Sequence, residues 1–368
     1  MRAAVLWEPG TTFEISSVDL AEPGPNDVVV ELRAAGVCAS DLSLTTTFGQ
    51  PTPVVLGHEG AGVVAQIGES VTSVAVGDHV IVVWVPPCRT CVPCVRGDEY
   101  LCANRRSSAS QRAGEPDTRP QRLWSAGKPV FQGMNTATFA ERTVVPSNAV
   151  VRVDDDVPFH IAALLGCAVP TGAGAALKSA NVQPGDNVAV IGCGAVGLSA
   201  IMGAMVAGAA ELVAIDPMQA RRDLALTLGA TRAVAPDELA TAVRDFDVVI
   251  DAVGAPPTVE AAWKAARRGG TVTVVGAGRP DQQVAISAYE VFHDDKKLTG
   301  SFHGGISMHR DLPLLVRLWR TGRLPIDRLI SGTADLADIN EVVRAQQSGE
   351  ALRTVLTMNG FDPQRNAG

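Results

Sequence analysis

Excess positive charge is missing from this sequence: 31 basic residues against 39 acidic ones leave a net charge of -8. That balance argues against a nucleic-acid surface. Lysine is scarce, five of the 31, the other 26 being arginine; the skew is one of composition and carries no chemistry. A run able to cross a membrane is missing too. The longest apolar stretch, Ala195 to Ala210, is rich in Gly and Ala and falls short of the roughly 20 residues a span requires; it reads as a buried helix. A secretory leader is not expected either, because the apolar start of the chain breaks at Glu8 and Pro9 before a leader core forms. The expected setting is therefore cytoplasmic, without membrane or nucleic-acid partners. Nor is there an even set of cysteines for a disulfide frame. There are seven, four of them clustered between Cys88 and Cys102, which in a reducing compartment points to a metal.

What is present fits a chain of two domains. The 368 residues, 46% of them hydrophobic, suffice for two domains of about 100–200 residues. Residues 1–150 hold short β-rich runs split by Gly and Pro, such as Val28–Leu32 and His79–Trp84. Residues 103–122 are polar and predict a long surface loop. From about residue 185 strands and helices alternate: strands at 187–191, 211–215, 247–251 and 271–275, helices from Ala195, at 218–228 and near 257–267. Continuous Val/Ile strands between helices predict an α/β fold with a parallel sheet covered on both faces. Helices near 311–321 and 338–347 and a strand at 353–357 complete the chain.

The segment Gly192-Cys193-Gly194-Ala195-Val196-Gly197 follows a predicted strand and opens a predicted helix, the setting in which G-x-G-x-x-G binds a dinucleotide. Gly192 permits the tight turn, Gly194 lets the backbone approach a pyrophosphate, and Gly197 lets helix and sheet pack closely. The N–H groups and dipole at the helix start, at Ala195 and Val196, favour phosphate. Asp216, 19 residues past Gly197, is placed to accept from ribose hydroxyls and to repel a 2′-phosphate, so NAD is expected rather than NADP. Arg221 and Arg222 close by pull the other way.

Cys88, Cys91, Cys94 and Cys102 form C-x2-C-x2-C-x7-C. Four thiolates close a tetrahedron around Zn²⁺ and leave no open position, the signature of a structural site. Cys38, His58, Glu59 and Cys167 form a second, dispersed set. No spacing rule links them, and a lone His or Cys is more often packed than ligating.

Together these motifs resemble the zinc-containing alcohol dehydrogenases of the medium-chain dehydrogenase/reductase family. The resemblance runs over nearly the whole chain, through Gly36–Asp41, Gly57–Gly62, the four-cysteine lobe, Thr138–Glu141, Gly166-Cys167, the glycine turn and Leu352-Arg353-Thr354. It implies a GroES-like β-rich catalytic domain at 1–168 with a zinc lobe at 85–104. A Rossmann doubly wound, parallel-sheet NAD domain follows at 169–304, and 305–368 completes the catalytic domain. It implies two zinc ions per subunit, NAD, and a small alcohol or aldehyde as substrate. Cys38, His58 and Cys167 hold the catalytic zinc, Glu59 serves as a transient ligand, and Asp41 orients His58. Ser40 takes the alcohol proton. Thr171 packs on the nicotinamide, Arg353 lies near the cofactor phosphates, and Val253 and Val275 also belong to the cofactor site. Phe48 and Trp84 line the substrate pocket, where aromatic walls suit an aryl or allylic primary alcohol.

Two departures stand out: Ala39 and Ser43 occupy positions where many members carry a basic residue and a His. The resemblance also implies a homodimer or homotetramer joined near Lys297–Ser301. The stretch from Asp117 to Val130 is similar to the thiol-adduct formaldehyde dehydrogenases, which makes an S-hydroxymethyl thiol an alternative substrate. A non-catalytic nucleotide-binding protein on the same scaffold is the alternative of another class.

Overall fold

A computed structural model describes residues 1–104, 120–239 and 245–363. The expected loop at 103–122 therefore lies largely outside the described residues. The chain forms two compact units, Met1–Cys167 with Ile330–Gly368, and Ala168–Leu329.

In the first unit the long strand Asp27–Gly36 is central. It pairs antiparallel with Glu59–Ile67, Arg142–Pro146 and Thr354–Thr357. Its valines and leucine, Val28, Val30 and Leu32, are fully buried beside Phe139, Leu56 and Leu356. Each such side chain contributes roughly 1.5–3 kcal/mol by leaving water. Strands approach closely where glycine allows it: a Cβ on Gly62 would stand 2.1 Å from the Glu31 carbonyl oxygen. The last strand, Thr354–Thr357, docks with Val355 opposite Gly36, so the chain's end supports the segment leading to Cys38.

The second unit is a parallel six-stranded sheet. Its strands lie in the order Arg232–Val234, Glu211–Ile215, Asn187–Ile191, Phe246–Asp251, Ala266–Val274, Lys297–Gly300. The chain runs outward one way from Asn187–Ile191 and then restarts beside it with Phe246–Asp251. That reversal is the topological switch point at which doubly wound sheets bind ligands. The helix Ala195–Ala207 is buried along most of its length, as its Gly/Ala content requires.

The domain boundary expected at 304/305 moves to 329/330. The helix Met308–Arg320 stays with the sheet unit because its packing is there. Lys178 pairs with Asp311 at 2.6 Å, Arg323 donates to the Val206 carbonyl at 3.3 Å, and a Cβ on Gly174 would sit 2.5 Å from the Gly304 carbonyl oxygen. The other expected elements appear within a few residues of their predicted bounds. The helix near 257–267 is Pro256–Ala265, and the strand expected at 271–275 begins earlier, at Ala266. Among the described residues no helix is long and apolar enough to cross a membrane.

Candidate functional site

The strand register builds the dispersed cluster. Gly36 lies opposite Glu59 in the central antiparallel pair, so the residues just beyond, Cys38 and His58, converge. A Cβ on Gly36 would stand 2.1 Å from Glu59 Oε2, so a side chain there would displace that carboxylate. Cys38 then caps the helix Ala39–Thr46.

Asp41, in that helix's first turn and fully buried, ties the pieces together. Its Oδ2 accepts from the Cys38 N–H at 3.2 Å, and its Oδ1 accepts from the Gly57 N–H at 3.0 Å and meets His58 Nδ1 at 2.7 Å. A carboxylate accepts, so Nδ1 carries the proton and Nε2 presents its lone pair. Nε2 is buried with no hydrogen-bond partner. Buried polar atoms are rarely left so; here the ring lies beside the Cys38 thiol and the Glu59 carboxylate. Donor atoms of Cys38, His58 and Glu59 lie within 4.8 Å of one another; Cys167, buried as well, acts electrostatically on Cys38.

The electrostatics suit a cation. The hydrogen bond from Cys167, against the cost of burial and with help from the Arg353 charge, holds the Cys38 thiol well below its usual range. Burial pushes the Glu59 carboxyl up to about 7 against the pull of Arg353. Both Glu59 oxygens lack hydrogen bonds, although Arg353 Nη1 stands 3.5 Å from Oε2. Two sulfurs and one imidazole nitrogen are the donor set of a catalytic zinc with an open fourth position, so the residues fit the metal.

Trp84 lies edge-on to the His58 ring, centroids 5.9 Å apart at 76°. Ser40 is half-buried on the first turn of the Cys38-capped helix, and Phe48 is half-buried just past that helix's end. Among the described residues neither joins the hydrogen-bonded set. Arg353 is 3% exposed, with Nη1 donating to the Val37 carbonyl and facing Glu59. Ser43 turns its hydroxyl back to the Ala39 carbonyl at 3.2 Å.

The four cysteines of the lobe are brought together. All four sulfurs lie within 4.8 Å of one another, with Cys88–Cys94 and Cys91–Cys102 each at 4.0 Å. These separations are about twice a disulfide bond, and all the cysteines are free. Backbone N–H groups point at sulfur: Cys91 N at 3.3 Å from Cys88 Sγ, Cys88 N at 3.3 Å from Cys102 Sγ, Ala103 N at 3.4 Å from Cys91 Sγ. Bonds from Thr90 and Cys91 bring the Cys88 thiol down to about 5, while burial drives Cys94 up to about 12; one cation would settle all four as thiolates. Cys91→Ser is expected to lose one metal equivalent and to lower Tm, checked by metal analysis and calorimetry. A variant retaining the parent's full metal content would refute the four-sulfur site.

The glycine turn is formed as its motif requires. Gly192 has φ 90°, and a Cβ on Gly197 would collide with the Gly192 carbonyl oxygen at 1.7 Å. A Cβ on Gly194 would meet nothing within 4 Å, so a ligand's phosphates can approach that backbone and the helix start at Ala195 and Val196. Asp216 is 2% exposed; its oxygens accept from Cys193 N and Met218 N, both at 2.8 Å, and Arg221 Nη1 stands 3.9 Å away. Each oxygen keeps a further lone pair for a ribose hydroxyl. Arg222 is turned to the backbone, donating to the Asp216 carbonyl at 2.7 Å.

Val253 is 44% exposed and leans over Gly192; Val275 is half-buried at the neighbouring strand end. Thr171 is half-buried in the helix Ala168–Gly174. Sequence reasoning missed Asp251, fully buried, which accepts from Val253 N at 3.1 Å and Gly254 N at 3.0 Å and so shapes this rim. An acidic residue closing a buried Val/Ile strand was the available signal.

Residues 24–155 match the alcohol dehydrogenase GroES-like domain, and residues 195–319 match the zinc-binding dehydrogenase domain. The chain is 36% identical to the putative alcohol dehydrogenase D of Mycobacterium tuberculosis over 365 residues, 96% of this chain and 98% of that protein. It is 34% identical to the S-(hydroxymethyl)glutathione dehydrogenase of Komagataella pastoris, covering 97% of each. The crystal structure of benzyl alcohol dehydrogenase from Acinetobacter calcoaceticus superposes with TM-score 0.89 at 29% identity, covering 97% of this chain and 99% of that one.

Proposed function

The chain belongs to the zinc-type alcohol dehydrogenases of the medium-chain dehydrogenase/reductase family and is an oxidoreductase; from that footing we propose that it interconverts a primary alcohol, aryl or allylic, and its aldehyde with NAD. The non-catalytic alternative is set aside, because the matching relatives and structure are named dehydrogenases. The observation that carries the reading is the unpartnered, buried His58 Nε2 in a cluster with the Cys38 thiol and the Glu59 carboxylate, while Asp41 fixes the opposite nitrogen.

Cys38, His58 and Cys167 would hold zinc, with Glu59 as a transient fourth ligand. When bound, zinc supplies a Lewis acid that lowers the pKa of an alcohol hydroxyl, and the nicotinamide accepts the hydride. The chain's own work is placement. Asp41 orients His58, the Ser40 hydroxyl takes the alcohol proton toward solvent, and Trp84 with Phe48 presents flat apolar walls. The Gly192–Gly197 turn and Asp216 hold the dinucleotide, with Arg221, Thr171, Val253 and Val275 around it. A second zinc in the four-cysteine lobe is structural.

The test is NADH formation by metal-replete protein across a panel of alcohols. Benzylic or allylic alcohols are expected to lead; preference for ethanol or charged polyols would reject the substrate class. The likeness to S-(hydroxymethyl)glutathione dehydrogenase favours one second reading. Formaldehyde turnover that appears only with added low-molecular-weight thiol would identify it.

Asp216→Asn is expected to lose the charge and one of the two acceptors, so that only one of the Cys193 and Met218 N–H groups keeps its partner. A charge-assisted hydrogen bond is worth about 1.5–3 kcal/mol, so KM for NAD should rise about 10–100-fold while discrimination against NADP shrinks. An unaltered NAD/NADP ratio would assign cofactor choice to another group. We further propose a cytoplasmic homodimer or homotetramer. Lys297–Gly300 ends the parallel sheet with Leu298 45% exposed, and such open edges are ordinarily covered.

A further inference from the structure

The carbonyl of Val37, the residue before Cys38, is gripped from the far end of the chain. Gln346 Nε2, on the helix Ile339–Gln347, donates to it at 2.8 Å. Arg353 Nη1 donates to the same oxygen. The Val37 N–H goes to the Thr354 carbonyl at 3.2 Å, and the Cys38 N–H to Asp41 Oδ2 at 3.2 Å. The backbone that aims the Cys38 thiol is therefore held at every polar atom from Val37 N to Cys38 N.

The clamping side chains differ in what else they do. Arg353 also faces Glu59, and Asp41 also orients His58. The Gln346 side chain bonds only the Val37 carbonyl among the described residues. Its Oε1 is buried and has no hydrogen-bond partner. A buried, unsatisfied carbonyl is a net cost to folding, which Leu or Met at this position would avoid. What the amide contributes is its donor, and the donor is spent on the peptide that carries a thiol of the cluster.

We propose that Gln346 is a positioning residue of the metal centre, fixing Cys38 toward the metal through the Val37 carbonyl. The proposal rests on reading Cys38, His58 and Cys167 as zinc ligands. Groups that orient a ligand without touching the metal govern how firmly it is held, because a ligand free to drift lets the metal go.

The experiment follows metal release to a chelator from the cofactor-free, metal-loaded full chain. Cobalt loading distinguishes the two sites, since a mixed sulfur–imidazole site and an all-sulfur site absorb differently. Gln346→Met keeps the side chain's length and removes the donor; Gln346→Leu is a second variant with different packing. In both, release from the Cys38 site should quicken about tenfold, with its cobalt bands shifted. Release from the four-cysteine lobe should be unchanged, and Tm unchanged or raised, because the orphaned carbonyl is gone.

Release at the parent rate in both variants would overturn the proposal. So would a fall in Tm with both metals leaving faster together, which would mark Gln346 as a packing residue of its helix. A parent chain that loads metal only in the four-cysteine lobe would overturn the zinc reading itself, and this inference with it. Loading at both sites with unchanged release would overturn this inference alone.

Discussion

His58→Ala is expected to oxidise alcohols at least about 10³-fold more slowly than the parent, because a Lewis acid supplies several kcal/mol to the reaction and each 1.4 kcal/mol is tenfold in rate. It should also carry one metal ion fewer per chain. The expectation follows from how the ring is held. Asp41 Oδ1 takes Nδ1 at 2.7 Å and leaves Nε2 as a buried lone pair with no other use. With the imidazole gone, the Cys38 thiol and the Glu59 carboxylate remain, the latter faced by Arg353. Asp41 also loses the ring nitrogen it accepts from, and its buried carboxylate is left with only the Cys38 and Gly57 N–H groups, which weakens the turn it organises. Zinc content and NADH formation, measured on the same preparation, check both halves. Full turnover with one metal lost would move catalysis elsewhere.

Ser40→Ala should lower kcat by about 10²-fold, the usual worth of a positioned proton carrier, while metal content and NAD binding persist. Ser40 sits two residues past Cys38 on the helix that Cys38 caps, so the residue chain that places the thiol also places the hydroxyl. The deficit should narrow as pH rises, because hydroxide can take the proton that Ser40 no longer accepts. Ser40→Thr keeps the hydroxyl and should recover most of the rate on small substrates. Ser43 offers little help further along, since its hydroxyl is turned into its own helix. Unchanged kcat in Ser40→Ala would remove Ser40 from the proton path.

These expectations draw on parts of the chain that were unequally legible in the sequence. The glycine turn and the four-cysteine lobe could be read directly, because their chemistry is fixed by spacing within about a dozen residues. The alternation of Val/Ile strands with helices gave the parallel sheet for the same local reason. Cys38, His58 and Cys167 could be connected only through resemblance. What joins the first two in space is a strand register, Gly36 opposite Glu59, and no local pattern encodes it. The return to the first unit was misplaced by about 25 residues, because the helix Met308–Arg320 looks alike whichever core it covers. Partners such as the Lys178–Asp311 pair decide the matter, and they are visible only in the fold. The grip of Gln346 and Arg353 on Val37 was equally hidden, bridging more than 300 residues.

Anomalous diffraction at the zinc edge, on crystals of the metal-loaded protein, tests the central claim most directly. A peak is predicted about 2.0–2.3 Å from Cys38 Sγ, His58 Nε2 and Cys167 Sγ together, separate from the one among Cys88, Cys91, Cys94 and Cys102. Metal in the four-cysteine lobe with none shared by those three residues would contradict it.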